Sequence, residues 1–253
     1  MKAMPLYAEP MDVASPEGCY FYTTIDIPGF GLMSGDWDLR DGIEDYLGRE
    51  EFAGKRVLEI GPASGFVTFE MERRGADVVS VELAESVGWD FAPYPEDILK
   101  PHRERAACRR APLNKSYWLA HRTYGSKAKV HYGSAYDLPK ELGRFDIAII
   151  ADVLLHTRAP LQIIEECAKF ADTLIVTDLR YDDIDAMPVM RLVPDADNHD
   201  WSSRSWWHLS SKLISQWLGV LGFREVRVLR HVQMFRGNPG QHFTVVATRP
   251  VRR

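Results

Sequence analysis

Four residues carry the first chemical information in this chain: Glu59, Gly61, Gly65 and Glu82. The first three lie in the stretch VLEIGPASGFVTFE, Val57 to Glu70. There an apolar run ends on a carboxylate, a turn carries two glycines, and a helical pattern begins. Gly61 lets the backbone turn sharply. Gly65 lets a ligand or a strand approach the helix start with no Cβ between. A glycine pair also suits a plain strand-to-helix turn, so the acidic residues decide more. A carboxylate at Glu59 would repel a pyrophosphate and suits a cation. Glu82 ends a second apolar run, 17 residues after Gly65. A carboxylate there can accept two hydrogen bonds from ribose hydroxyls. The spacing is neither GxGxxG nor GxxxxGK[ST], and no Lys or Arg follows for a phosphate. The pocket asks for a ribose and a positive charge. S-adenosylmethionine (SAM) carries a ribose, an ammonium and a sulfonium.

A regular alternation of elements surrounds these residues. RVLEI is a first strand and Ser64 to Arg74 a helix. ADVVSVEL, KVHYG and RFDIAII are further strands, the last continuous and apolar, as a strand buried on both faces should be. Pro160 to Phe170 reads as a helix and DTLIVTD as a fifth strand. Trp206 to Leu221 predicts one long helix ending at Gly222. REVRVLRHV and HFTVVATR alternate and pair as an antiparallel hairpin. Upstream, residues 1 to about 35 are irregular and rich in aromatics, Pro and Gly, with a short strand in YFYTTIDIPGFG. DWDLRDGIEDYLGREEF predicts a helix capped by Asp36 or Asp38, with Trp37, Ile43, Tyr46 and Leu47 as its apolar stripe. The expected fold is α/β: a doubly wound, seven-stranded, mostly parallel sheet whose last strand inserts antiparallel. Residues 1–50 form an N-terminal lid and helix packed on the core. Residues 51–253 form the main domain, with a basic and aromatic insert at about 90–128.

The chain has 253 residues, 45% hydrophobic and 26% charged, enough to bury one large core. Cys19, Cys108 and Cys167 show no metal-binding spacing and read as reduced thiols in a cytoplasmic protein. No signal pattern opens the chain, and no apolar run approaches a membrane span. The net charge of −5 does not favour a polyanionic partner. Yet Lys100 to Lys129 holds nine Lys or Arg against one Glu. That run is either a solvated helix face or a mouth that attracts an anionic substrate.

VLEIGPASG, VELAES, GSAYDLP and FDIAIIADVLLHTRAP together resemble the motifs of the class I SAM-dependent methyltransferases. The likeness covers Val57 to Asp178, and the closing hairpin agrees with that fold. GFVTFEMERRGADVVSVEL, NKSYWLAHRTYGSKAKVHYGSAYDLP and WWHLSSKLISQWLGVLGF are similar to a subgroup that includes tRNA wobble-uridine carboxymethyltransferases and many small-molecule methyltransferases. The resemblance implies SAM as cofactor and S-adenosylhomocysteine (SAH) as product. It places Glu59, Gly61, Pro62, Ala63 and Gly65 along the methionine end of SAM, and Glu82 and Leu83 at the ribose. Ser134, Ala135 and Tyr136 match the adenine position, although many relatives carry Asp or Asn in place of Ser134. Asp152 and Val153 should sit beside the methionyl group.

His156, just past the fourth strand, is the candidate catalytic base for transfer to a hydroxyl; the alternative is a histidine that bridges loops. His208, His121 and Tyr117 are other candidates. Asp152 and Asp178 end strands four and five, where catechol-type O-methyltransferases bind Mg²⁺. Leu179 stands where that family usually supplies an Asn, so no metal is assigned. Trp201, Trp206, Trp207, Trp89 and Trp118, with Tyr20, Phe21 and Tyr22, are candidates to roof an acceptor pocket, while Leu213, Trp217 and Leu221 face inward. The leading expectation is O-methylation of a small-molecule acceptor, anionic in one version. The rivals are a tRNA-modifying enzyme and a non-catalytic SAM-binding protein.

Overall fold

The computed structural model describes residues 5–250 apart from 198 and 200–203. A short hairpin, β1 (Ile25–Ile27) and β2 (Gly31–Met33), precedes β3 (Trp37–Asp38) and a single helical turn, α1 (Ile43–Tyr46). The alternating region follows: β4 (Arg56–Ile60), α2 (Phe66–Arg73), β5 (Asp77–Leu83), α3 (Glu96–Tyr124), β6 (Lys129–Gly133), β7 (Phe145–Ala151), α4 (Pro160–Ala168) and β8 (Ala171–Leu179). A small pair, β9 (Met190–Leu192) and β10 (Trp207–Leu209), leads to α5 (Ser211–Val220). The long hairpin β11 (Glu225–Phe235) and β12 (Asn238–Thr248) ends the fold.

The central sheet runs β3-β11-β12-β8-β7-β4-β5-β6. The five strands from β8 to β6 are mutually parallel, and β12 inserts antiparallel beside β8. The seven expected strands are all present, in a doubly wound order. β3 is an eighth, added at the edge by the N-terminal segment. Alternation along the strands explains the layering. Leu58, Ile60, Ala148 and Ile150 face the core under α4 and α5, while Val57, Ile147 and Ile149 face the opposite core with Leu47 and Phe52. The chain steps outward from β4 through β5 to β6, then returns to β7 on the other side of β4. A crevice opens at the carboxyl ends where the direction switches.

Two local expectations are corrected. The helix expected over DWDLRDGIEDYLGREEF is one turn only, because Trp37 and Asp38 pair with Phe235 and Met234 instead. Gly42 starts that turn, and its carbonyl accepts from Gln233 Nε2 at 3.0 Å. The long helix expected from Trp206 begins at Ser211, because Trp207 and Leu209 pair with Leu192 and Met190. Ser210 caps it, its hydroxyl accepting from the Leu213 amide at 3.0 Å. The basic insert is the 29-residue helix α3, with Pro101 and Pro112 inside it. The Pro112 carbonyl accepts from the Tyr20 amide at 3.0 Å. Ser116 Oγ donates to the Tyr20 carbonyl at 2.6 Å. The N-terminal segment is therefore tied to α3 at one end and to β11 at the other.

Gly65 precedes α2 at φ 91°. A Cβ there would run into the Phe69 ring and lie 2.9 Å from Tyr117. Gly65→Ala is expected to cost about 1–3 kcal/mol through left-handed strain and overpacking, read as a lowered urea-unfolding midpoint.

Candidate functional site

A cleft of about 480 Å³ opens at the switch between β4 and β7. Its floor is the turn after β4. Gly61 (φ 74°) and Ala63 (φ 49°) both adopt left-handed backbone there, and Pro62 lies between them. For Ala63 that geometry is strained. Gly61 has no room for a side chain: a Cβ would sit 2.7 Å from Val153 Cγ2. Gly61, Pro62, Ala63 and Val153 all line the cleft, whereas Gly65 does not. The second glycine serves packing beneath α2.

Two carboxylates line this end. Glu59 is buried and accepts from Thr68 Oγ1 at 2.5 Å and Ser80 Oγ at 2.7 Å. Burial pushes its carboxyl up to about 7, against the pull of those hydroxyls. Glu82 ends β5, and its Oε1 accepts from the Leu83 amide at 2.8 Å. Burial raises its pKa as well. Leu83, Ser134, Ala135 and Tyr136 complete the wall beyond β5 and β6. Tyr136 is fixed by its hydroxyl, which pairs with Asp90 and accepts from the Ala159 amide at 3.1 Å.

Asp152 sits just past β7 at φ 51°. Its Oδ2 accepts from the Tyr46 hydroxyl at 2.9 Å and lies 3.4 Å from His242 Nε2. His242 is fully buried in β12, and its Nδ1 lies 3.1 Å from the Gly240 carbonyl. A carbonyl can only accept, so Nδ1 carries a proton. Burial opposes charge on the ring, but Asp152 outweighs it and holds the pKa above the ordinary histidine value. His231 stacks on His242 with centroids 5.6 Å apart. Its Nδ1 accepts from Gln233 Nε2, so its Nε2 donates to Thr244 Oγ1, and the ring is neutral. Burial and the neighbouring His242 push it down to about 4. Of the two stacked imidazoles, His242 is thus the one whose surroundings favour the proton. Asp178 lies off the cleft wall and is buried; burial and Asp152 push its carboxyl well above the usual range.

Among the candidate bases, His156 lines the cleft, and His121, His208 and Tyr117 do not. His156 ends a 3₁₀ turn after β7, and its Nδ1 lies 2.7 Å from the Arg204 carbonyl. Nδ1 is again the donor, which leaves a lone pair on Nε2. Burial lowers its pKa. His121 Nε2 donates to the Ala128 carbonyl, and His208 stacks on Tyr181 at 3.6 Å.

Tyr20, Tyr22 and Trp89 line the cleft; Phe21 and Trp118 belong to a core behind α3. Trp206 and Trp207 point away and donate to the Asp90 and Arg158 carbonyls. Trp201 lies outside the described residues. Leu213, Trp217 and Leu221 pack, half-buried, on the core beneath α5. The sequence reading missed His102, Arg105 and Arg109 of α3, as well as Arg204 and the Tyr46–Asp152–His242 chain. The spacing 102, 105, 106, 109, 110, 113 was available as a helical stripe, but polar residues obscured it.

Two buried polar atoms on the cleft wall, Asp152 Oδ1 and Trp89 Nε1, have no partner among the described residues. The first is an acceptor for a cation or a donor group. The wall as a whole offers carboxylates at the turn and guanidinium groups along α3.

No family model matches the chain. Magnesium-protoporphyrin O-methyltransferase of Rhodobacter capsulatus is 30% identical over 129 residues, 50% of this chain and 46% of that protein. Ubiquinone biosynthesis O-methyltransferase of Acinetobacter baylyi is 26% identical over 116 residues, 46% of this chain and 38% of that protein. The chain thus spans less than half the length of either relative. Among solved structures, the N-terminal domain of EvdMO1 with SAH bound superposes with a TM-score of 0.56 at 18% identity, over 92% of this chain and 93% of that one. Magnesium protoporphyrin IX methyltransferase from Synechocystis, also with SAH bound, gives 0.53 at 16% identity over 84% and 82%. The chain has the Rossmann-like methyltransferase fold. The narrower likeness to the tRNA wobble-uridine group gains no support from these proteins. No helix among the described residues is long and apolar enough to cross a membrane.

Because the His242 pKa is raised on folding, its stabilisation is full below about 6.5 and fades as pH rises through the folded value. His242→Asn is expected to cost about 3 kcal/mol at low pH. The gap to wild type should narrow as urea unfolding is repeated at increasing pH.

Proposed function

We propose that the chain is a SAM-dependent methyltransferase that acts on a small-molecule acceptor, with oxygen as the methylated atom. The observation that carries this reading is the pairing of a left-handed turn after β4 with carboxylates at Glu59 and Glu82 in one cleft. That set suits a ribose and a cation and is unsuited to phosphate. The unpartnered Asp152 Oδ1 adds a second acceptor for a positive group. Two relatives named as O-methyltransferases support the choice of atom.

SAM, when bound, supplies an electrophilic methyl group on its sulfonium. The chain's own residues do the rest. Glu82 accepts from the ribose hydroxyls, and Glu59 and Asp152 face the ammonium of the methionyl group. Leu83, Ser134 and Ala135 hold the adenine side, and Tyr136 is braced behind them by Asp90. His156 holds its Nε2 lone pair free to take the acceptor's proton, because the Arg204 carbonyl fixes the other nitrogen as the donor. A base with a lowered pKa is already deprotonated at neutral pH. Tyr20 and Tyr22, anchored by the N-terminal segment, cover the acceptor end and keep water out.

The first test is calorimetric titration of SAH into the full chain. Binding is expected in wild type and is weakened at least about 30-fold in Glu82→Ala, which loses two charge-assisted hydrogen bonds. Wild-type affinity should fall as pH drops below about 7, where Glu59 protonates, and Glu59→Gln should flatten that dependence. No binding by folded, ligand-free wild type sinks the reading. With an acceptor in hand, His156→Asn should lower kcat about 100-fold or more with SAH affinity unchanged. The acid limb of the wild-type pH–rate profile should lie below 6.5, because burial lowers the His156 pKa.

A further inference from the structure

Resting on the methyltransferase reading, we propose that Arg105, Arg109 and Arg204 form an oxyanion subsite, and that the acceptor carries a carboxylate or phosphate group bound there.

Arg105, Arg109 and Arg204 all line the cleft, and the first two are close enough for their charges to act on Arg204. Arg105 and Arg109 lie one turn apart on α3, and Arg204 comes from the loop before β10. Elsewhere arginines find carboxylates: Arg74 pairs with Glu70 and Glu44, and Arg230 with Asp185. Here they do not. The Arg204 side chain has no hydrogen-bond or ion-pair partner among the described residues. Burial disfavours its charge most, Arg109 adds repulsion, Tyr22 and Tyr20 oppose, and Arg105 adds a smaller repulsion. Arg109 rests over the Tyr20 ring at 5.3 Å. The carboxylate near it, Asp36, already accepts from Tyr20 at 2.6 Å and from Arg236 at 2.9 Å. Among the described residues, Arg105 makes long contacts, 3.3 Å to the Pro101 carbonyl and 3.3 Å to His102 Nδ1.

Arg105 and Arg109 are exposed and Arg204 is half-buried; their like charges repel, and an incoming anion relieves that repulsion. Arginine is the residue whose planar fork fits carboxylate and phosphate. The outer side of α3 is different, since Arg103 pairs with Glu96 and Arg122 with Asp12. Arg105, Arg109 and Arg110 of the basic run line the cleft, where a small molecule fits and a nucleic-acid duplex does not, while Lys100, Lys115, Lys127 and Lys129 lie outside it. Arg204 also links the subsite to the base, because its carbonyl fixes His156. An acceptor anchored by its anion on Arg204 would present its nucleophile close to His156.

The test uses the full chain saturated with SAH and three probes: inorganic phosphate, 4-hydroxybenzoate and the uncharged 4-hydroxybenzamide. Saturable binding of at least one anion is expected, with the amide at least about tenfold weaker than the acid. Arg204→Gln and Arg109→Gln should each weaken anion binding about tenfold or more while SAH affinity and the unfolding midpoint stay at wild-type values. Preference for phosphate or for benzoate tells a phosphoryl from a carboxyl group. Wild type that binds neither anion, or variants that bind as wild type does, would overturn the subsite. Salt-steep binding of bulk tRNA, lost in the same variants, would overturn it in favour of a nucleic-acid surface. Failure of SAH to bind is read separately and strikes the methyltransferase reading, since anion binding is then titrated without it.

Discussion

Carboxyl groups buried at the ends of neighbouring parallel strands set the terms for everything around the cleft. Glu59, Asp152 and Asp178 belong to β4, β7 and β8 or the residue just beyond. A desolvated carboxylate is unstable unless something answers it. Glu59 receives two hydroxyls, and Asp152 receives the Tyr46 hydroxyl and lies 3.4 Å from His242 Nε2. At Asp178, burial and the neighbouring Asp152 push the carboxyl well above the usual range. The partners of Asp152 come from distant parts of the chain. Tyr46 belongs to α1, and His242 to the closing hairpin. The N-terminal segment and the last strand are therefore parts of the site as much as parts of the scaffold.

The cleft is divided by charge. Acidic groups sit at the turns after β4 and β5, and basic groups along α3 and the loop before β10. The acidic end is held by the parallel sheet, whose strands are buried on both faces. The basic end is held by segments that the sheet does not require. Tyr20, Tyr22 and Trp37 join the two, for Trp37 Nε1 donates to Tyr22 at 3.1 Å and its amide to the Tyr22 carbonyl at 3.0 Å.

The sheet was legible in the sequence because its strands are short apolar runs separated by turns, and both core faces demand that pattern. The turn after β4 was legible because its chemistry is local: Glu59, Gly61 and Ala63 act within five residues. Trp37 and Asp38 were misread as helix, because nothing nearby indicates a partner at residues 234 and 235. The strand at Trp207 was missed for the same reason, its partner lying at Leu192. Gly65 was given to the ligand, but its missing Cβ makes space for Phe69 and Tyr117. Tyr46 looked like one apolar position in a stripe, and only the fold brings its hydroxyl to Asp152. Proximity between residues about 100 or 200 positions apart has no signature in periodicity or local composition.

The pairing of β3 with β11 has a consequence for how the molecule comes into being. Trp37 and Asp38 leave the ribosome early, yet Phe235 and Met234 are made about 200 residues later. His242, which Asp152 needs, follows later still. The parallel strands from β4 to β8 are complete long before either arrives, and domains fold as their chain emerges. Contacts so far apart in sequence are also the slow ones to form. The roof of the cleft is thus synthesised first and seated last, and until then Asp152 lacks the Tyr46 and His242 neighbours it has in the finished fold.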